Sequence, residues 1–168
     1  RLLERFDIQA SASCCGRSLE RMPWLGRDLI ERGHEVCCHS YRWERHSEMS
    51  LEKEREGIGR AVAAIEQACG EAPVGWHTRG APSINTRRLL AQEFGFKYDS
   101  DAYDDDLPYM REIGNKPYET SGEFGDRHRL ERKRSRASIA AHAQNQMILE
   151  IELNLDPRAV GNRRSRQS

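Results

Sequence analysis

Residues 33–46 read GHEVCCHSYRWERH and place His34, His39, His46, Glu35 and the adjacent Cys37 and Cys38 in one short stretch. Imidazoles, thiolates and carboxylates are the groups that ligate metals and carry protons. An open catalytic metal site takes about three such ligands. His39 falls where a strand passes into a loop, the usual place for a ligand or a general base. His34 lies at the opposite end of that strand from His39 and reads as structural, while His46 lies further along the loop. Arg79, in TRGAPS, stands at a second strand end and can clamp a carboxylate or a developing oxyanion. Asp101 lies at the carboxyl end of a third strand, with Asp104, Asp105 and Asp106 after it in the chain. Carboxylates there can orient an imidazole or activate water. Any one of them alone is better read as a solvated loop charge or a helix or turn cap, so the weight rests on their coincidence with His39 and Arg79.

The elements that must position these groups alternate regularly. Residues 1–7 read as a helix, and 8–15 as a small-residue strand ended by Gly16. Pro23 suits the first turn of a helix carrying Trp24, Leu25, Leu29 and Ile30, which Gly33 closes. Residues 34–40 read as a strand and 41–49 as a loop. Ser50 caps the next helix, whose Glu52, Glu54 and Glu56 suit the positive end of its dipole. Its apolar stripe is Ile58, Val62 and Ile65, and Gly70 ends it. Residues 74–78 form a short strand. Ser83 or Asn85 caps a helix through Leu89, Leu90 and Phe94 to Gly95, and residues 96–102 form the next strand. Strands alternating with helices through short joints mean parallel βα units, with function at the carboxyl ends of the strands.

The remainder breaks this order. GDRHRLERKRSR is a basic run without an apolar period, and GNRRSRQS closes the chain similarly. MILEIELNL between them alternates well enough for one strand, or extends a weak helix from Ala137. No aromatic residue is interleaved in the basic run for base stacking, so a solvated or disordered tail fits better than a nucleic-acid site. The domain boundaries expected are 1–118 for a folded domain and 119–168 for an irregular C-terminal tail.

The 168 residues suit one domain, although 37% apolar and 32% charged residues imply a lean core. Net charge is zero, which gives no electrostatic reason to expect nucleic acid or a membrane surface as partner. No apolar run approaches the roughly 20 residues that span a bilayer. Cys14, Cys15, Cys37, Cys38 and Cys69 show no Cys-x-x-Cys spacing. Reduced, mostly buried thiols and a cytoplasmic location are expected.

GHEVCCHSYRW, EAPVGWHTRGAPSINTRRLL and YDSDAYDDDLPY together resemble the polysaccharide deacetylase (NodB-type) superfamily, and within it the branch that includes metal-independent allantoinase. The resemblance runs through residues 1–118, is strongest over 33–46 and 73–109, and is weaker over 9–16. It implies an α/β fold, a partial, distorted (β/α) barrel, and hydrolysis of a non-peptide carbon–nitrogen bond. Deacetylases of this type hold a divalent metal through an aspartate and a His-x-x-x-His pair. His39 matches the first histidine, but the second position is Trp43, whose indole N–H is a donor only. That substitution matches the allantoinase-like branch. Asp99, Asp101 and Asp105 match the branch's acidic signature, and Tyr109 ends it.

The resemblance therefore assigns His39, Arg79 and Asp101 to catalysis, and Trp43, Asp105 and Tyr109 to substrate binding. It implies no metal, with His39 as a ligand only if a zinc ion is bound after all. The implied substrate is a small cyclic amide or ureide, as in purine catabolism, and the full-length protein is a candidate homo-oligomer. The alternatives are a metal-dependent N-deacetylase of a chitin-like polysaccharide and, from another class, an inactive fragment or interaction protein with a basic tail. The family's upstream acidic motif would precede Arg1, and nothing after Tyr118 resembles its downstream Leu-His motif, His128 and His142 included. Both absences lead to the expectation of a fragment with a frameshifted tail, marginally stable alone.

Overall fold

The computed structural model describes residues 2–102, 108–120 and 146–149. Helix α1 (Leu2–Arg5) leads into strand β1 (Gln9–Cys14), then α2 (Gly16–Arg21) and α3 (Pro23–Glu31). Strand β2 (Glu35–Cys38) follows, then the long α4 (Leu51–Cys69) and β3 (Gly75–Trp76). A short α5 (Thr86–Arg88) widens into a π-helical turn (Leu89–Phe94) before β4 (Tyr98–Asp99). The hairpin β5 (Tyr109–Ile113) and β6 (Lys116–Thr120) comes next, and β7 (Gln146–Leu149) is the last described strand.

These strands form one sheet in the order β5-β6-β4-β3-β2-β1-β7, parallel except for the β5–β6 pair. This is the alternating α/β arrangement of a partial (β/α) barrel. The core lies between the sheet and helices α2, α3 and α4. Ala12, Cys14, Val36, Cys38 and Trp76 supply its sheet side, with Leu19, Ile58, Ala61, Ile65 and Leu89 from the helical layer. Gly16 lets α2 approach α4, since a Cβ there would lie 2.8 Å from Ala61 Cα. Ser50 caps α4, its hydroxyl accepting from the Lys53 N–H at 3.3 Å, and Gly70 ends the helix in the left-handed region at φ 85°.

Of the two caps expected for α5, Ser83 supplies the side-chain bonds, its hydroxyl accepting from the N–H groups of Asn85 and Thr86 at 3.0 and 3.2 Å. Two features differ from expectation. Gly16 does more than end a strand, because it begins α2. The β5–β6 hairpin was not expected. Its turn is Gly114–Asn115, with φ of 57° and 64°, the left-handed pair that a two-residue hairpin turn requires. Strand β6 runs two residues past position 118, and its Glu119 and Thr120 pair with Tyr98 and Asp99. Strand β7 runs from Gln146 into the start of MILEIELNL and pairs parallel with β1. The basic run lies outside the described residues.

Candidate active site

Residues on a strand alternate between faces, so the register decides which side chains meet. Ser11 is level with Glu35, Ser13 with Cys37, Cys38 with Trp76, and Trp76 with Asp99. The ladder continues past the strand ends, where His39 N–H donates to Cys14 O, His77 N–H to Cys38 O and Ser100 N–H to Trp76 O, each at 2.9 Å. Cys15, His39, His77 and Ser100 therefore form a row across the carboxyl ends of β1 to β4. They lie on the face opposite the helices, toward the barrel interior. Deeper on that face, Glu35 accepts from Ser11 Oγ at 2.5 Å and Tyr98 OH at 2.8 Å.

His39 is buried at the mouth of this face. Its Nδ1 lies 2.6 Å from the His77 carbonyl oxygen. A carbonyl only accepts, so Nδ1 carries the proton and Nε2 is the basic nitrogen of the neutral ring. The two imidazoles stack with centroids 4.8 Å apart and planes 29° apart. His77 was not singled out in the sequence. The signal was there: Trp76 belongs to the core, so its neighbour faces the same side as His39.

Trp43 and Arg79 come from the loops after β2 and β3 and meet at the surface. The guanidinium carbon sits 3.9 Å from the centroid of the indole, and Arg79 Nη1 donates to the Trp43 carbonyl at 3.0 Å. Such a stack holds a cation without neutralising it. Trp43 keeps 42% of its surface exposed, enough to face a ligand.

Asp101 is held away from solvent. Its Oδ1 accepts from Thr78 N–H at 2.8 Å and its Oδ2 from Thr78 Oγ1 at 2.6 Å, while Thr78 Oγ1 accepts from Trp76 Nε1 at 2.6 Å. Burial pushes its carboxyl from 3.8 up to about 7, against the pull of the Thr78 hydrogen bonds. The folded state thus holds a proton there at pH values where the unfolded chain has released it. Stability from this group is lost as pH rises from about 4 to 7, by roughly 4 kcal/mol at most. Asp101→Asn should flatten that decline in denaturant midpoints between pH 4.5 and 8; parallel wild-type and variant curves would contradict the assignment.

Asp99 serves structure. Its buried carboxylate accepts from Arg87 Nε at 2.9 Å and Thr120 Oγ1 at 2.7 Å, tying α5 and β6 to β4. Tyr109 lies on β5, at the far edge of the sheet, with the Arg111 guanidinium 4.9 Å from its ring centroid. Asp105 lies outside the described residues, as do His128 and His142. His34 Nδ1 accepts the Ala10 N–H at 3.4 Å, a structural contact. No cysteine is in a disulfide, and burial raises Cys14 to about 12 and Cys69 to about 11 and also lifts Cys37 and Cys38 well above the ordinary thiol value. Such thiols are poor nucleophiles and poor ligands.

His46 and Glu54 form a second buried centre, both fully excluded from solvent. His46 Nδ1 is 3.0 Å from Glu54 Oε1, and its Nε2 is 2.9 Å from Ser40 Oγ. Thr86 Oγ1 donates to Glu54 Oε1 at 2.5 Å, and Ser83 Oγ to Oε2 at 2.6 Å. Burial alone raises the Glu54 carboxyl, but the bonds from His46, Ser83 and Thr86 outweigh it and hold it below the usual 4.5. Glu54 was read as a dipole partner. Its position four residues before Ile58 was the overlooked sign that it shares the buried stripe.

Among the described residues no group of three or more His, Cys, Asp or Glu side chains is placed to hold a metal. The fourth residue after His39 is Trp43, whose indole N–H is a donor only. No described helix is long and apolar enough to cross a membrane.

Comparison with known proteins follows this geometry. The polysaccharide deacetylase family profile matches residues 1–98. A Schizosaccharomyces pombe protein assigned to the polysaccharide deacetylases is 35% identical over 115 residues, covering 64% of this chain and 36% of its own. The Helicobacter pylori peptidoglycan deacetylase is 28% identical over 116 residues, 68% of this chain and 40% of its own. The crystal structure of PuuE allantoinase superposes with a TM-score of 0.66 at 37% identity, covering 72% of this chain and 40% of that one. The chain thus spans roughly two fifths or less of the length of these relatives.

Proposed function

This chain belongs to the polysaccharide deacetylase family, and from that premise we propose that it carries part of a hydrolase opening a carbon–nitrogen bond of a cyclic amide or ureide. The observation that supports this reading best is the His39 tautomer. The His77 carbonyl takes the Nδ1 proton at 2.6 Å, which presents Nε2 as a base at the strand mouth. A water deprotonated there attacks the ring carbonyl and forms the new C–O bond. The imidazolium then returns its proton to the departing nitrogen as the C–N bond breaks. Arg79 steadies the oxyanion between these steps, and the exposed Trp43 face offers a flat surface to a planar ring.

Trp43 in the place of a metal ligand favours the ureide reading over N-deacetylation of a polysaccharide, and no step is derived through a metal. The similarity to an allantoinase structure at 37% identity points the same way. The test is hydrolysis of allantoin by the full-length gene product, with and without chelator. Turnover indifferent to chelation, and lowered about 10²–10⁴-fold in His39→Gln, is expected. Turnover lost on chelation and recovered with zinc would overturn the metal-independent mechanism. Deacetylation of chitin oligomers without action on allantoin would replace the substrate class.

A further inference from the structure

We propose that His46 and Glu54 are positioning residues whose buried network sets the Arg79–Trp43 stack from behind. The proposal rests on the reading above only in treating Arg79 and Trp43 as site groups. The network joins segments far apart in the chain. Ser40 follows β2, His46 lies in the loop that also carries Trp43, Glu54 belongs to the first turns of α4, and Ser83 and Thr86 end the loop that begins with Arg79.

The donors have one consistent sense. Glu54 as a carboxylate only accepts, so His46 Nδ1–H donates to Oε1, and on the other side of the ring Nε2 is hydrogen-bonded to Ser40 Oγ. Thr86 Oγ1 donates to the same Oε1, and Ser83 Oγ to Oε2. Ser83 Oγ in turn accepts the Asn85 and Thr86 N–H groups, which fixes the backbone where the Arg79 loop enters α5. The His46 ring also stands edge-on to Trp76, centroids 5.2 Å apart. Full burial of His46 and Glu54 keeps them from touching a substrate, so any influence on chemistry passes through the two loops. A buried carboxylate held by three donors from both loops defines one geometry, because a loop shift breaks a charge-assisted bond. Two residues lie between Trp43 and His46, and three lie between Arg79 and Ser83.

The test measures Arg79 directly and needs no turnover. Phenylglyoxal modification of Arg79 is followed by peptide mass spectrometry of the full chain, well below its melting temperature. It is normalised to Arg32, which pairs with Asp28 on α3 at 2.9 Å, away from both loops. Glu54→Gln keeps the size but replaces an acceptor oxygen with a donor facing donors. Arg79 labelling relative to Arg32 should rise about tenfold as the loops open locally. Ser83→Ala should raise it less, and Ser83→Thr, which restores the hydroxyl, should return it to the wild-type rate. An unchanged ratio in folded Glu54→Gln overturns the proposal. If that variant does not fold, an unchanged ratio in Ser83→Ala does so. Faster labelling in a protein that hydrolyses no ureide would sink the hydrolase reading and leave the positioning role standing.

Discussion

Replacing Glu54 with alanine lowers the unfolding free energy by about 3–5 kcal/mol, measured by urea denaturation at pH 7. The carboxylate is fully buried and accepts from His46, Thr86 and Ser83. Alanine leaves those donors in a dry environment without acceptors, and each orphaned group carries its own desolvation cost. The pH dependence separates this from simple loss of packing. The folded Glu54 carboxyl lies below its unfolded value. Its contribution is fully present above the unfolded pKa and disappears as pH falls through the folded one. Wild-type stability should therefore drop on the acid side of pH 4.5, and Glu54→Ala should lack that component. A variant that loses less than about 1 kcal/mol, or keeps the same acid limb, would show that solvent already satisfies the site.

Trp76→Ala costs a further about 3–5 kcal/mol by a different mechanism, cavity formation in the core. The indole is fully buried, with the Phe96 ring edge-on at 5.6 Å and His46 on another side. It also donates from Nε1 to Thr78 Oγ1, which holds the Asp101 carboxylate. Trp76→Phe restores most of the volume and should recover more than half of the loss, leaving the missing donor. The Glu54 and Trp76 effects should not add, because His46 touches both residues. A double variant whose loss equals the sum of the two would argue against a shared centre.

The legible parts of the fold were those written in local periodicity. The apolar stripe of α4, the Ser50 cap and the Gly70 stop appear as expected. Strands β1 to β4 lie inside the segments read as strands, though β3 and β4 pair over only two residues each. The β5–β6 hairpin was missed because its residues are largely exposed and do not alternate by hydrophobicity. Gly114–Asn115 was its one strong local sign. His39 stands out from its place at a strand end, and Trp43 from occupying a ligand's position. Arg79 was expected as a lone anion clamp, yet it stacks on Trp43.

The sequence by itself determined the βα alternation and the placing of His39 and Arg79 at successive strand ends, whereas the meaning of Trp43 at the fourth position after His39 came from the family resemblance alone. The first two are matters of residue type and spacing along one segment, which short-range sterics and periodicity express directly. The tertiary structure decided which groups meet. It set His77 against His39, closed Ser40, His46, Glu54, Ser83 and Thr86 into one network, and turned Asp101 onto Thr78. Each of those contacts depends on sheet register or on the packing of a helix over a loop. Register couples residues tens of positions apart, and its energy comes from pairing and burial that no single stretch of chain contains.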